Sequence, residues 1–307
     1  MTGLQHSSDM GELDVSVVLP VYNEGPHVQT EIDRIRSALE ASRYSFEVIV
    51  VDDGSDDGSG EHLSHIDGVR LIRFASNRGT GSARKAGTRA ARGRVVVWTD
   101  ADMTYPNDDI PKLVRELEGW DQVVGARTSE EGTAKWARLP AKWFIRRLAS
   151  YLVQTDIPDL NSGLRAFRAS VGRQYLHLLP PGFSCVTTMT MSFLSNGYSV
   201  KYVPITYSRR AGQSKFHWWR DTRSYVVQVV RLVLSYNPLR VFLPVGFLLT
   251  ALGLGKLVYD WVSKDFRLAT NTLLILFTAF IVIAIGLLAD LFVRLSRPPD
   301  EVDSASL

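Results

Sequence analysis

Two carboxylates spaced i, i+2, Asp100 and Asp102, close the β-branched run Val95-Val96-Val97-Trp98-Thr99. Such a run predicts a buried strand, and side chains two apart on an extended segment share one side, so both carboxylates are expected to face one point. Paired hard oxygens suit a divalent cation that also holds a phosphate. The bland alternative is a polar strand-to-loop exit, since Asp-x-Asp arises often by accident. A second acidic stretch, Asp52-Asp53-Gly54-Ser55-Asp56-Asp57-Gly58, follows the strand candidate Phe46–Val51. It has the composition of an ordinary turn, yet parallel strands would bring both acidic exits to one edge of a sheet, where open α/β folds gather ligands. A carboxylate there can accept a hydrogen bond from a nucleobase N–H, the role expected of Asp53.

Cations recur further along. A short strand, Val123–Arg127, ends in Arg127, and a helix-like stretch, Ala134–Val153, mixes Lys135, Arg138, Lys142, Arg146 and Arg147 with Trp136, Trp143 and Phe144. That pattern is a solvated face or, beside a membrane, a holder of anionic lipid head groups. The loop Ser208–Lys215 is basic and contains Gly212, so it can close over phosphates or lie solvated on the surface.

Positioning these residues requires alternating strands and helices. Strands are predicted at Val15–Leu19, Phe46–Val51, Val69–Phe74, Val95–Asp102, Val123–Arg127 and Val200–Tyr207. Helices are predicted around Ile32, Ile35 and Leu39, over Ser82–Ala91 and over Ile110–Leu117. The order indicates βαβ units: an α/β fold with an open, mainly parallel sheet and helices on both faces. Met103-Thr104-Tyr105-Pro106 is expected to end the site, and Asp156–Arg165 to form a polar loop. Gly79-Thr80-Gly81 lacks the third glycine of a dinucleotide fingerprint, which argues against a dehydrogenase.

Composition changes sharply along the chain. A leader at 1–12 precedes a soluble-type domain at 13–215, and an amphipathic interface helix is predicted at 216–238. A membrane hairpin follows at 239–295, with apolar spans near 241–259 and 268–293, then a polar tail at 296–307. Each span has about the twenty residues a hydrocarbon core requires. Arg220, Arg223, Arg231 and Arg240 before the hairpin, and Arg294 and Arg297 after it, favour both termini in the cytoplasm of a cell (inner) membrane protein. Lone Cys185 agrees with a reducing compartment. The net charge of +3 is too small to suggest a nucleic-acid partner, and no signal peptide is expected at the polar amino terminus.

Six motifs occur in order: Leu19-Pro20-Val21-Tyr22-Asn23-Glu24, Val51-Asp52-Asp53-Gly54-Ser55, Asn77-Arg78-Gly79, Asp100-Ala101-Asp102, Asp159-Leu160-Asn161-Ser162-Gly163-Leu164-Arg165 and Gly212-Gln213-Ser214-Lys215. Together they resemble the polyprenyl-phosphate glycosyltransferases of the family 2 GT-A type, over Val15 to Lys215, and the hairpin fits the bacterial branch. The resemblance implies inverting transfer of a sugar from a nucleotide-diphosphate donor to polyprenyl phosphate at a lipid bilayer; the two-helix hairpin favours a UDP-sugar and leaves GDP-mannose open. It implies that Pro20, Tyr22, Glu24 and Asp53 contact the nucleoside and that Asp100 and Asp102 hold Mg²⁺ or Mn²⁺. Arg127 and Lys142 would bind the acceptor phosphate, Arg210 and Lys215 would close over the donor, and Asp159 would orient the acceptor or its cations rather than serve as base. Two positions depart from the pattern: Leu164 stands where Phe is usual, and Lys142 where Arg occurs.

Two other readings stay open. A processive polysaccharide synthase shares the acidic loops, but its Gln-x-x-Arg-Trp motif is approached only by Gln228-Val229-Val230-Arg231-Leu232, which lacks the Trp. A non-catalytic membrane scaffold is the alternative of another class. Gly246, Gly253 and Gly255 would permit close helix contact, and hence a homo-oligomer through the hairpin.

Overall fold

The computed structural model describes residues 13–127, 154–208, 237–263 and 269–295, with residues 147, 150 and 234. The chain divides into two compact units after Tyr225. In the first, strand β1 (Leu13–Val21) forms the centre of a sheet because Val15, Val17, Val18 and Leu19 are all fully buried, as a parallel strand covered on both faces must be. It pairs in parallel with β2 (Phe46–Asp52) and β4 (Gly93–Trp98), and β2 pairs in parallel with β3 (Val69–Arg73). Beyond β4, β6 (Arg165–Arg168) runs antiparallel between β4 and β5 (Gln122–Arg127), and β7 (Val200–Ile205) returns parallel to β5. The spatial order is β3-β2-β1-β4-β6-β5-β7. The sheet is thus mainly parallel, with one reversed strand that the sequence did not signal.

Helix α1 (Gly25–Glu40) buries Val28, Ile32, Ile35 and Leu39 against the face carrying Val15, Val17 and Leu19. Each such aliphatic side chain contributes about 1.5–3 kcal/mol of transfer free energy. The opposite face carries Val18, Ile49 and Trp98, covered by α3 (Thr80–Ala90) and by the helix Cys185–Ser195 through Met189 and Phe193. The latter helix is an addition to the sequence reading. The strand expected to reach Asp102 stops at Trp98, where its ladders with β1 and β6 both end. The helix expected at Ala134–Val153 and the interface helix at Phe216–Tyr236 lie largely outside the described residues.

The second unit is a pair of helices, Leu239–Ser263 and Thr270–Leu295, each long and apolar enough to cross a membrane. Only 11% and 17% of their most apolar windows are buried, so they are not core helices of a soluble body. Gly246 and Gly253 are spent inside the hairpin: a Cβ at Gly253 would lie 2.5 Å from Leu276, and one at Gly246 would strike Ile283. A Cβ at Gly255 would meet nothing within 4 Å, so this glycine is not needed for the packing of the two helices on each other. Asp260 is fully buried, accepts a hydrogen bond from Thr272, and has Lys256 Nζ at 3.4 Å.

Candidate functional site

The strands of the first unit deliver loops to their carboxyl edge, and each loop is tied to its neighbour. After β1, Tyr22-Asn23-Glu24 includes Asn23 at φ 54°, a left-handed conformation that Asn tolerates better than most residues. Asn23 donates from its amide group to Asp56 Oδ1 at 2.7 Å and accepts from the Asp56 N–H at 3.0 Å, so the loops after β1 and β2 are clamped together. Pro20, Tyr22 and Glu24 are half-buried along this edge. Asp53 is 2% exposed and accepts from the N–H groups of Arg78 and Gly79, each at 2.8 Å. Burial pushes its pKa up despite those two hydrogen bonds. Asp53 therefore shapes the Asn77-Arg78-Gly79 turn, whatever it offers a ligand. Gly79 and Gly81 let Pro181 approach α3, and the Pro181 carbonyl accepts from the Gly81 N–H at 2.7 Å. These glycines serve close backbone contact, which explains the incomplete dinucleotide pattern.

Because β4 ends at Trp98, strand alternation does not position Asp100 and Asp102; local bonds do. The Thr104 hydroxyl donates to Asp102 Oδ1 at 2.5 Å, and Met103 between them takes φ 63°. Thr99 donates to Asn107 Oδ1 at 2.5 Å, and Asn107 donates to the buried Glu31 of α1, which fixes both flanks of the acidic pair. Asp100, with its side chain 32% exposed, accepts from Arg84 Nη2 at 2.5 Å. Arg84 was missed in the sequence, although it occupies the buried stripe Gly81, Arg84, Thr88 of α3 at spacing i, i+3, i+7. An arginine in an interior stripe needs an anion, and that spacing was the available signal.

In Met103–Pro106, the stretch expected to end the site, Tyr105 reaches across to the neighbouring loops. The Tyr105 hydroxyl accepts from the Gly163 N–H at 2.7 Å, and its ring meets Tyr207 edge-on at 5.2 Å. Burial raises the Tyr105 pKa, so its hydroxyl stays protonated. Arg127, at the end of β5, lies over the Tyr207 ring at 5.3 Å. Its Nε and Nη2 donate to the two oxygens of Asp159 at 2.7 and 2.8 Å, a bidentate pair. Burial alone would raise the Asp159 pKa, but the Arg127 hydrogen bonds and charge, with the Asn161 N–H, hold it below the ordinary carboxylate value. A carboxylate so held is a poor proton acceptor and a good positioner.

Arg165, quoted in its motif without a role, is fully buried and donates to the carbonyls of Ser162 at 2.5 Å and Val186 at 2.6 Å, and to Thr190 at 2.9 Å. It locks the Asp159–Arg165 loop against the helix Cys185–Ser195. Burial, with Arg84 nearby, lowers its pKa to about 10. Leu164 is fully buried in the core, as expected for its departure from Phe. Lys142, Arg210 and Lys215 lie outside the described residues.

The acidic pair fits a hard divalent ion. Its donors are carboxylate oxygens, and Gly163 leaves a cradle beside Asp100, since a Cβ there would lie 2.6 Å from Asp100 Oδ2. Among the described residues no group of three His, Cys, Asp or Glu side chains could hold a metal. Two carboxylates alone match an ion whose remaining ligands come from a substrate phosphate.

Comparison with known proteins agrees with this arrangement. Residues 16–176 match the model of glycosyl transferase family 2, and residues 237–295 match the GtrB C-terminal hairpin. Two relatives are named undecaprenyl-phosphate 4-deoxy-4-formamido-L-arabinose transferase. The one from Pseudomonas fluorescens is 30% identical over 305 residues, covering 92% of this chain and 85% of the relative. The one from Aeromonas hydrophila is 30% identical over 212 residues, covering 66% of this chain and 62% of the relative. Glucosyl-3-phosphoglycerate synthase from Mycobacterium tuberculosis in complex with phosphoglyceric acid superposes with a TM-score of 0.59 at 22% identity, over 72% of this chain and 80% of that one. A complex of the same enzyme with Mn²⁺, UDP-glucose and phosphoglyceric acid gives a TM-score of 0.57 at 20% identity, over the same shares. These structures share the fold, a GT-A type mixed sheet. With its catalytic-type sheet edge and its apolar hairpin, the chain belongs to glycosyltransferase family 2.

Proposed function

We propose that the protein is a membrane-bound inverting glycosyltransferase that moves a sugar from a nucleotide-diphosphate donor to polyprenyl phosphate. One observation carries this reading: the loop Asp159–Arg165 holds Arg127 through Asp159 and lies against the part-exposed Asp100 at Gly163, so one loop brings a carboxylate and a cation to the same sheet edge. Asp100 and Asp102 would hold Mg²⁺ or Mn²⁺ on the donor diphosphate, and the ion, when bound, neutralises charge developing on the leaving group. Pro20, Tyr22, Glu24 and Asp53 would line the nucleoside side, with Arg210 and Lys215 closing over the phosphates. Arg127, helped by Lys142, would orient the acceptor phosphate. A phosphate oxygen attacks the anomeric carbon from the face opposite the leaving group; the new C–O bond forms as the bond to the diphosphate breaks, and the nucleoside diphosphate departs with the electron pair. The attacking phosphate is already anionic near neutral pH, so Asp159 need only hold Arg127.

The relatives' names support an undecaprenyl-type acceptor, and the UDP-bound neighbours support a UDP-sugar. The hairpin would place the site at the cytoplasmic face of the inner membrane, with both termini inside, and would be the surface for any homo-oligomer. Purified full-length protein is to be incubated with labelled UDP- and GDP-sugars, polyprenyl phosphate and Mn²⁺. A charged glycolipid is the expected product. No product with any donor overturns the proposal, and long polymer would instead indicate a processive synthase.

A further inference from the structure

Arg84 stands in an unusual place for a cation. Its side chain is 3% exposed, yet it touches the carboxylate offered to a divalent ion. Nη2 donates to Asp100 Oδ1 at 2.5 Å, Nη1 lies 3.5 Å from Cys185 Sγ, the guanidinium lies 5.5 Å from the centre of the Trp98 ring, and Nε has no hydrogen-bond partner. Arg165, fully buried behind it, lies 6.0 Å from the same ring and has no ion-pair partner among the described residues. The part-exposed Asp100 carboxylate therefore has a buried guanidinium at its back, with Arg165 on the far side of the same ring. The Asp100 charge is met by Arg84 before any ion enters, and one of its oxygens is already engaged.

We infer that Arg84 is a positioning residue that makes the cation and the nucleotide diphosphate bind as a unit. A divalent ion alone meets an acidic pair in which Asp100 already has a buried positive charge beside it, and so gains less from the two carboxylates than their number suggests. A diphosphate brings at least two further negative charges and the missing oxygen ligands, so the ion is held firmly only in its company. Arg84 fixes the Asp100 carboxylate in one orientation and sets the balance that keeps the ion out until the donor arrives. This inference rests on the proposed function for the identity of the diphosphate, but concerns the coupling between two ligands rather than turnover.

The test measures Mn²⁺ binding to the full chain in detergent, by the loss of the free-ion paramagnetic resonance signal, with no nucleotide, with UDP and with GDP. The wild type is expected to bind Mn²⁺ at least tenfold more tightly with one of the nucleotides than without. Arg84→Gln keeps a hydrogen-bond donor and removes the charge; it is expected to bind Mn²⁺ alone about tenfold more tightly than wild type and to lose most of the coupling. Arg84→Lys keeps the charge and should retain the coupling. Wild type binding Mn²⁺ equally well with and without a bound nucleotide overturns the inference, and this arm needs no variant to fold. Coupling unchanged in a folded Arg84→Gln protein overturns it as well. Failure of both nucleotides to bind at all would instead overturn the proposed function and the inference with it.

Discussion

The site contains two carboxylate–arginine pairs at strand exits, and they are built in opposite senses. In Asp100–Arg84 the arginine is 3% exposed and the carboxylate 32%, and one hydrogen bond, Nη2 to Oδ1, joins them. In Asp159–Arg127 the carboxylate is 9% exposed and the arginine 16%, and both carboxylate oxygens are taken by the guanidinium. In the first pair the cation holds an anion for presentation; in the second the anion holds a cation. An ion pair by itself says little about stability or function, since desolvation offsets much of its Coulomb energy. Under the proposed function, the more exposed partner of each pair is the one that would receive a ligand: a metal ion at Asp100 and a phosphate at Arg127.

The sharpest way to break this distinction is at the outward carboxylates. Asp102→Asn and Asp100→Asn should each lower Mn²⁺-dependent turnover by roughly 10²–10³ or more, the scale of losing one preorganised electrostatic contact in a transition state. The thermal midpoint should move little in Asp102→Asn, whose side chain is part-exposed, but fall in Asp100→Asn, because the buried Arg84 loses its anion. Retention of full activity by either variant would remove that residue from the metal's ligand set.

Arg127→Gln is the matching change on the other side, and two effects are expected. The KM for polyprenyl phosphate should rise by about tenfold or more with the donor KM nearly unchanged, and stability should fall by about 1.5–3 kcal/mol as Asp159 loses charge-assisted hydrogen bonds. A donor KM that rises equally would mean that Arg127 does not separate acceptor from donor. Arg127→Lys should restore charge but not the bidentate geometry, and so recover only part of the loss.

Much of this was legible in the residues. Runs such as Val15–Leu19 and Val95–Val97 read as buried strands and are strands, and Asp53, Asp100, Asp102 and Arg127 do lie at or just beyond strand ends, as the pattern placed them. Strand β6 could not: Arg165-Ala166-Phe167-Arg168 is four residues with two arginines, and it is a strand only because β4 and β5 flank it. Arg84 was hidden for a related reason. In sequence it sits among Ala, Lys and Gly like any solvated helix residue, and only the packing of α3 on Trp98 and Asp100 makes it an interior cation. The i, i+2 spacing singled out Asp100 and Asp102 on the premise of strand alternation, whereas the bends after Trp98 and the Thr104 hydroxyl place them.

Asp159→Asn tests the remaining half of the comparison with the gentlest effect. If Asp159 only holds Arg127, the variant should lose about tenfold in kcat/KM, keep the shape of its pH–rate profile and leave the donor KM alone; a lost acidic limb would show that Asp159 accepts a proton in the reaction. The same pair predicts a pH dependence of stability. The folded-state pKa of Asp159 lies below its unfolded value of about 3.9, so its contribution is fully present above about pH 4 and disappears as pH falls through the folded value. Urea midpoints of the full chain should therefore separate wild type from Asp159→Asn by a constant amount between about pH 5 and 7, and converge below about pH 4.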